Sequence, residues 1–174
     1  MSSVALAPLG AAHVAEVEAL TTDADVLRFT RVPDPPPPRF VHTWLTAYED
    51  GRREGTREAF AIVGEDDGEF LGIAVAPQID RAARTAELGY VVVPAARGRG
   101  VASEALGLLT DWAFALGMER LELLISIENE ASKRVAARCG YVREGVLRSH
   151  YVKGDLREDT EIWSRLPSDA AAHR

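Results

Sequence analysis

Two glycines and two arginines stand directly after an apolar strand, in the segment Arg97-Gly98-Arg99-Gly100-Val101-Ala102. Glycine adopts positive φ angles and lets the backbone approach a ligand closely. A helix that begins near Gly100 offers free N–H groups and the positive end of its dipole. Two arginines at that end are unfavourable unless an anion neutralises them. The segment therefore predicts an anion site of the phosphate or pyrophosphate class.

Two common phosphate motifs do not fit this segment. A nucleoside-triphosphate loop needs GxxxxGK[ST], and the chain has no such Lys-Ser/Thr pair. A dinucleotide fold needs GxGxxG, and the sixth position here is Ser103. The structural alternative is a surface connection from strand to helix with solvated arginines.

Composition limits the function classes further. The chain has 174 residues, a net charge of −7 and a pI near 5.1, which argues against binding to a nucleic-acid backbone. It has one cysteine, Cys139, and four histidines without HExxH-like spacing, so we expect no disulfide and no metal. No leader-like start and no long apolar segment is visible. We expect a cytoplasmic protein that binds neither nucleic acid nor membrane.

The elements that must position the loop follow from hydrophobic periodicity. Strand patterns cover 4–7, 59–63, 70–76, 87–93, 121–127, 141–147 and 160–166, and helix patterns cover 12–20, 39–53, 101–116 and 131–138. An antiparallel meander followed by β-α-β-α-β predicts the α/β class with a mixed sheet. The proline run 33–38 is predicted to be an extended connector. We expect a single domain over 1–166 and a flexible tail over 167–174.

The segment from Arg97 to Ala102 resembles the (Gln/Arg)-x-x-Gly-x-(Gly/Ala) motif of the GNAT superfamily of N-acetyltransferases, which holds the pyrophosphate of coenzyme A. Further matching segments are Glu87-Leu88-Gly89-Tyr90, Asn129-Glu130-Ala131-Ser132, Cys139-Gly140-Tyr141 and Glu144-Gly145-Val146-Leu147-Arg148. The ordered set is similar to the RimJ/RimL branch, which acetylates N-terminal amines of ribosomal proteins and, in relatives, other amines. It covers about 60–166 and implies a GNAT fold, with a mostly antiparallel sheet of about six to seven strands and about four helices.

The resemblance implies acetyl-CoA as co-substrate, without a metal. It assigns the pyrophosphate to the loop and the pantetheine arm to the backbone of a strand that splays from its neighbour. It also gives two residues near the sulfur atom. The implied cofactor-binding residues are Val91, Val92, Val93, Arg97, Gly98, Arg99, Gly100, Val101, Ala102, Asn129 and Ser132. For the three valines, core packing of the side chains is compatible with binding by the backbone.

Two residues are the candidates for catalysis. Glu87 is the candidate general base, since an amine is mostly protonated at neutral pH and must lose a proton; the alternative is a solvated strand glutamate. His150 is a second proton acceptor to consider. Ser132 is the candidate to steer or protonate the departing thiolate, because the position at which many relatives outside this branch carry a tyrosine is Ala136 here. Asn129 alternatively serves only as a helix N-cap for the Ser132 N–H.

We therefore predict an acyl-CoA-dependent N-acyltransferase that moves an acetyl group to a primary amine, such as a protein N-terminus, by direct attack in a ternary complex. Alternatives are a small-molecule acceptor (an aminoglycoside or a polyamine), a succinyl-CoA-using relative, or a CoA-binding module without turnover. Arg-Gly-Arg-Gly as an RNA-binding element is disfavoured by the acidic charge. A homodimer is an expectation from the family alone.

Overall fold

The computed structural model describes residues 3–171, in which seven strands form one sheet in the order β1-β2-β3-β4-β5-β7-β6. The strands are β1 (Val4–Pro8), β2 (Glu58–Gly64), β3 (Phe70–Asp80), β4 (Thr85–Val92), β5 (Arg120–Ser126), β6 (Val142–Lys153) and β7 (Leu156–Arg165). The described helices are α1 (Val14–Leu20), α2 (Ala24–Phe29), α3 (Phe40–Glu54), α4 (Val101–Ala115) and α5 (Glu130–Arg138). The predicted α/β class with a mixed sheet is confirmed.

Each face of the sheet packs its own hydrophobic core. On one face the α4 residues Leu106 and Leu109 are fully buried, in a cluster with sheet residues such as Leu88. On the other face Leu45 of α3 packs in a cluster with Val17 of α1 and with inward-facing residues of β2 and β3. The strand alternation supplies both faces, because successive side chains point to opposite sides.

The sheet is split between β4 and β5, the one parallel pair in the described sheet. Their pairing runs from Thr85 opposite Arg120 to Glu87 opposite Glu122 and stops there. Beyond this point β4 continues to Val92 along β3, whereas β5 continues along β7. The predicted splay of this strand from its neighbour is thus confirmed, and a cleft opens between the carboxyl ends of β4 and β5.

The structure contains a helix that the sequence patterns do not predict. Helix α2 has only six residues, too few for a hydrophobic period to be read. Its start carries an ordinary signal, since the Asp23 side chain accepts a hydrogen bond from the Val26 N–H at 3.0 Å. The proline run 33–38 lies between α2 and α3 and belongs to neither helix, as predicted.

Strand β6 forms one edge of the sheet and is longer than predicted. Its register with β7 shifts twice, between Arg143 and Gly145 and between Leu147 and Tyr151. Ser149, within the second shift, has a φ of 54°. The two shifts break the alternation of apolar and polar residues, which is why the sequence pattern stops at 147.

The carboxyl end continues past the sheet as a short 3-10 helix, Pro167–Ala171. Residues 172–174 lie outside the described part of the chain, so the flexible tail over 167–174 stays a prediction. Within residues 3–171 there is no helix with the length and apolar character needed to cross a membrane.

Candidate active site at the split of the sheet

The loop after β4 presents a row of backbone N–H groups beside the cleft. Gly98 and Gly100 have φ angles of 73° and 90°, which favour glycine, and a Cβ on either would meet nothing within 4 Å. The helix α4 starts at Val101, directly after Gly100. Within residues 3–171, the five successive N–H groups from Gly98 to Ala102 donate to no acceptor. The loop therefore fits a pyrophosphate, with open space in front of unpaired donors.

The two arginines of the loop have different surroundings. Arg97 donates from Nη2 to Asp23 Oδ1 at 2.6 Å, from Nη1 to Asp25 Oδ2 at 2.8 Å and from Nε to Val92 O at 3.1 Å. Its charge is neutralised by carboxylates of the chain itself, which the sequence argument for two free arginines did not foresee. Arg99 is exposed and makes no ion pair among the described residues. Only Arg99 thus carries a side-chain charge in this loop that is available to an anion.

The backbone N–H and C=O groups of β4 point alternately to β3 and to the cleft. The Val93 N–H donates to Leu71 O at 2.9 Å, so this group is already used by β3. Because backbone groups alternate sides along a strand, Val91 shares this direction, whereas Tyr90 and Val92 face the β5 side. Of the three valines predicted for the pantetheine arm, Val92 is therefore the one whose backbone N–H is directed to the cleft, while its carbonyl accepts the hydrogen bond from Arg97 Nε.

Glu87 lies at the last paired position before the strands part, opposite Glu122. Burial raises the pKa of the Glu87 carboxyl, Arg31 and His150 lower it, and Glu122 raises it again; the net effect is a raised pKa. The same carboxylate acts on Tyr48, whose pKa burial raises to about 12. A half-buried carboxyl with a raised pKa is a stronger proton acceptor than an ordinary glutamate.

Asn129 and Ser132 lie at the start of α5, which follows the β5 side of the cleft. The Asn129 side chain accepts the Ser132 N–H at 3.0 Å, so the N-cap role is confirmed. Ser132 also approaches the hydroxyl of Tyr90, whose pKa burial raises to about 12 while Ser132 acts to lower it. The Tyr90 hydroxyl is buried and makes no hydrogen bond of good geometry within residues 3–171.

One position on α5 and the residue directly after this helix lack a reactive role in the structure. Ala136 is fully buried in the core beneath α5 and has no polar group to offer. The thiol of Cys139 donates to Ser103 O at 3.3 Å, and burial raises its pKa. A thiol with a raised pKa is a poor nucleophile.

A groove lies between the proline run and the turn that joins β6 to β7. A cavity of about 670 Å³ is lined by Ala24, Leu27, Arg28, Pro33, Asp34, Lys153, Gly154 and Leu156. It joins α2, the start of the proline run and the turn between β6 and β7. The Tyr151 hydroxyl donates to Thr30 O at 2.6 Å and fixes the two segments to each other.

Sequence reasoning missed the residues of α2 that reach the loop and the strands. Asp23, Asp25 and Arg28 all make ion pairs with distant parts of the chain. Their only local signal was that of a capped helix, with acidic residues at its start and a basic residue at its end. Among residues 3–171, no group of three or more His, Cys, Asp or Glu side chains could hold a metal ion.

Comparison with known proteins gives the family directly. Residues 3–142 match the model of the acetyltransferase (GNAT) domain. The chain is 29% identical over 115 residues to the ribosomal-protein-serine acetyltransferase of Escherichia coli K12, covering 66% of this chain and 63% of that one. It is 27% identical over 157 residues to the spermidine N(1)-acetyltransferase of the same strain, covering 89% and 82%.

The fold is also that of solved structures. RimL, a ribosomal alpha-N-protein acetyltransferase solved in complex with coenzyme A, superposes with a TM-score of 0.87 at 18% identity over 95% of both chains. The predicted acyltransferase class and the co-substrate acetyl-CoA are confirmed. The chain belongs to the GNAT acetyltransferase family.

Proposed function

We propose that the protein transfers the acetyl group of acetyl-CoA to the N-terminal amine of a protein. The neutral amine nitrogen attacks the thioester carbonyl carbon, the C–S bond breaks, and the amine gives up one proton while the sulfur of coenzyme A takes one. Both substrates are bound at once, so no acyl-enzyme is formed. Positioning of the two reactants lowers the activation barrier by at most about 7–11 kcal/mol.

The observation that carries this proposal is the position of Glu87. Its carboxyl is half-buried at the point where β4 and β5 part, with a raised pKa. In this role Glu87 accepts the amine proton, directly or through one water. The backbone N–H of Val92 is the donor directed to the cleft that could stabilise the oxyanion.

In this proposal Ser132 acts on the sulfur atom of coenzyme A. It stands on the first turn of α5, across the cleft from the loop, and Asn129 fixes its backbone. Its hydroxyl steers the thiolate or delivers the proton that the sulfur needs. The proposal places the pyrophosphate on the N–H row from Gly98 to Ala102, with Arg99 as the side-chain partner.

Polyamines are the second candidate acceptor, because a spermidine N(1)-acetyltransferase matches over 89% of this chain. The ribosomal-protein-serine acetyltransferase matches over a shorter part at slightly higher identity. The groove favours the peptide: Leu27, Pro33 and Leu156 line it, and Lys153 and Asp34 bring opposite charges, whereas a polyamine is best held by carboxylates. A succinyl-CoA donor is the third reading to test.

An acceptor screen tests the proposal. Turnover is measured with acetyl-CoA or succinyl-CoA against a peptide with a free N-terminus, the same peptide with a blocked N-terminus, and spermidine. We expect acetylation of the free peptide alone. Turnover of spermidine but not of the peptide would move the acceptor to the polyamine class, and preference for succinyl-CoA would change the acyl group.

Glu87→Gln tests the base. In the parent, kcat rises with pH as Glu87 deprotonates, and this rise lies above the pH range of an ordinary glutamate because the pKa of Glu87 is raised. We expect the variant to lose that limb of the pH profile and to fall at least about tenfold in kcat, with acetyl-CoA affinity nearly unchanged. Glu119→Gln, at an exposed ion pair with Arg84, is the control. An unaltered pH profile in Glu87→Gln would assign the residue to the scaffold.

The homodimer and the cytoplasmic location stay predictions. Light scattering after size-exclusion chromatography tests the first, and cell fractionation tests the second.

A further inference from the structure

Helix α2 makes ion pairs in two directions, with opposite sides of the cleft. At its start, Asp23 and Asp25 hold Arg97, which belongs to the loop after β4. At its end, Arg28 pairs with Glu128 and Glu158, which belong to the segment after β5 and to β7. The helix is about 9 Å long, and both arginines extend its reach. It therefore spans the region in which β4 and β5 no longer pair.

The contacts at the start of α2 are specific. Asp23 Oδ1 accepts both the Arg97 Nη2 at 2.6 Å and the Val26 N–H at 3.0 Å, so one oxygen atom caps the helix and binds the loop. The Asp23 side chain is 17% exposed. The Arg97 hydrogen bond is the largest influence on the Asp23 carboxyl and lowers its pKa. This anchor is more buried than the surface ion pairs that contribute little.

The contacts at the end of α2 reach the β5 side. Arg28 donates from Nη1 to Glu158 Oε2 at 2.9 Å and from Nη2 to Glu128 Oε2 at 2.6 Å. Glu128 directly precedes Asn129, the cap of α5. Ser126, the last residue of β5, also contacts Glu158 at 3.5 Å. The second anchor thus holds the segment that leads to Ser132.

We infer that α2 is a strap that sets the width of the cleft between β4 and β5, with Asp23, Arg97 and Arg28 as its positioning residues. An anchor that only attached α2 to the body of the protein would need one side of the cleft, whereas these anchors join both. The strap replaces the backbone hydrogen bonds that the splayed strands do not make. This inference rests on the proposed function for the placement of the pantetheine arm between β4 and β5.

The strap is expected to affect the binding of two related ligands differently. Acetyl-CoA inserts its pantetheine arm into the cleft, whereas adenosine 3′,5′-bisphosphate lacks that arm and has only nucleotide phosphates to offer the loop. We expect Asp23→Asn and Arg28→Gln each to raise the Kd of acetyl-CoA at least about fivefold, as expected for one lost charge-assisted hydrogen bond. The Kd of adenosine 3′,5′-bisphosphate should change less than about twofold.

The variants are chosen to keep local structure. Asparagine is as good an N-cap as aspartate, so Asp23→Asn removes the charge and keeps the cap of α2. Asp50→Asn breaks an exposed ion pair with Arg53 on α3 and is the matched control, with no expected change for either ligand. Calorimetric titration gives all the Kd values. Unchanged acetyl-CoA affinity in both strap variants would overturn the inference, and so would equal weakening of both ligands in Asp23→Asn with no effect of Arg28→Gln.

A measurement without ligand tests the strap independently of the proposed function. Hydrogen exchange should become faster in the strap variants over 89–100 and over 124–132, while the peptide over 58–64 in β2 stays as in the parent. If the parent bound no acetyl-CoA, the proposed function would fail and hydrogen exchange would still decide on the strap. Unchanged exchange at both sides of the cleft would refute it.

Discussion

Gly72→Ala should be among the most damaging small substitutions in this protein. Gly72 lies in β3 opposite Val92, with a φ of 151°, a backbone conformation that residues with a Cβ rarely adopt. A Cβ built there would lie 2.1 Å from Val91 O and 3.0 Å from Val92 Cα. Both are backbone atoms of the strand that forms one wall of the cleft, so no side-chain rotation relieves the overlap.

The magnitude follows from two costs. A contact of 3.0 Å is the lower limit for a real Cβ, so β3 and β4 must separate by at least 0.9 Å, the difference between 3.0 and 2.1 Å. Overpacking of this kind costs about 1–3 kcal/mol, and the strained φ costs about 1–3 kcal/mol more. The free energy of unfolding should fall by about 2–6 kcal/mol, which lowers Tm by roughly 5–20 °C in a chain of this size.

Denaturant unfolding and thermal melts of two variants test this reasoning. Gly89→Ala is the control, because its Cβ would meet only the Val75 Cγ2 atom at 3.4 Å and its φ lies outside the strained range. We expect this variant to stay within about 1 kcal/mol of the parent. If Gly72→Ala were as stable as Gly89→Ala, the close approach of β3 to β4 would not be a real feature of the fold.

Two further substitutions test the loop and the sheet. Gly100→Trp should abolish acetyl-CoA binding in calorimetry and keep a native circular dichroism spectrum, because the indole fills open space in front of the N–H row. Gly68→Trp, also at positive φ with nothing within 4 Å, is the control and should bind acetyl-CoA normally. Equal binding by both variants would refute the loop assignment. Glu144→Gln removes a carboxyl whose pKa is lowered to about 2 by hydrogen bonds from Arg120 and Ser164. The stabilisation by the Glu144 carboxylate is complete above pH 4.5 and is lost as the pH falls toward 2. The free energy of unfolding of the variant should therefore be lower at pH 7, by at most about 1 kcal/mol since the pair is exposed. Urea unfolding should show this difference at pH 7 and a smaller one at pH 3. The same difference in the free energy of unfolding at both pH values would contradict this pH dependence.

The regular elements and the loop were predictable because their causes are local. The strand before Pro94, the two glycines and the helix after Gly100 all have signals within a few residues of their positions. The N-cap at Asn129 was predictable for the same reason, since the cap acts three residues ahead, on Ser132.

The parts that sequence reasoning missed depend on distant contacts. Arg97 pairs with Asp23, 74 residues earlier in the chain. Nothing in the local sequence distinguishes an arginine that binds an anion from one that binds a carboxylate of its own chain. Likewise, the close approach at Gly72 depends on where β4 passes, which the period of β3 does not encode.

The two register shifts of β6 have a consequence for the behaviour of the protein in concentrated solution. An exposed sheet edge is a template for another chain, and this edge carries the exposed valines Val142, Val146 and Val152. The shifts divide the edge into short stretches that pair regularly with β7 over at most three residues each. Arg143, Arg148 and Lys153 add charge along it. An incoming strand would therefore lose its register before it gained a stable ladder, which protects the folded chain from edge-to-edge aggregation.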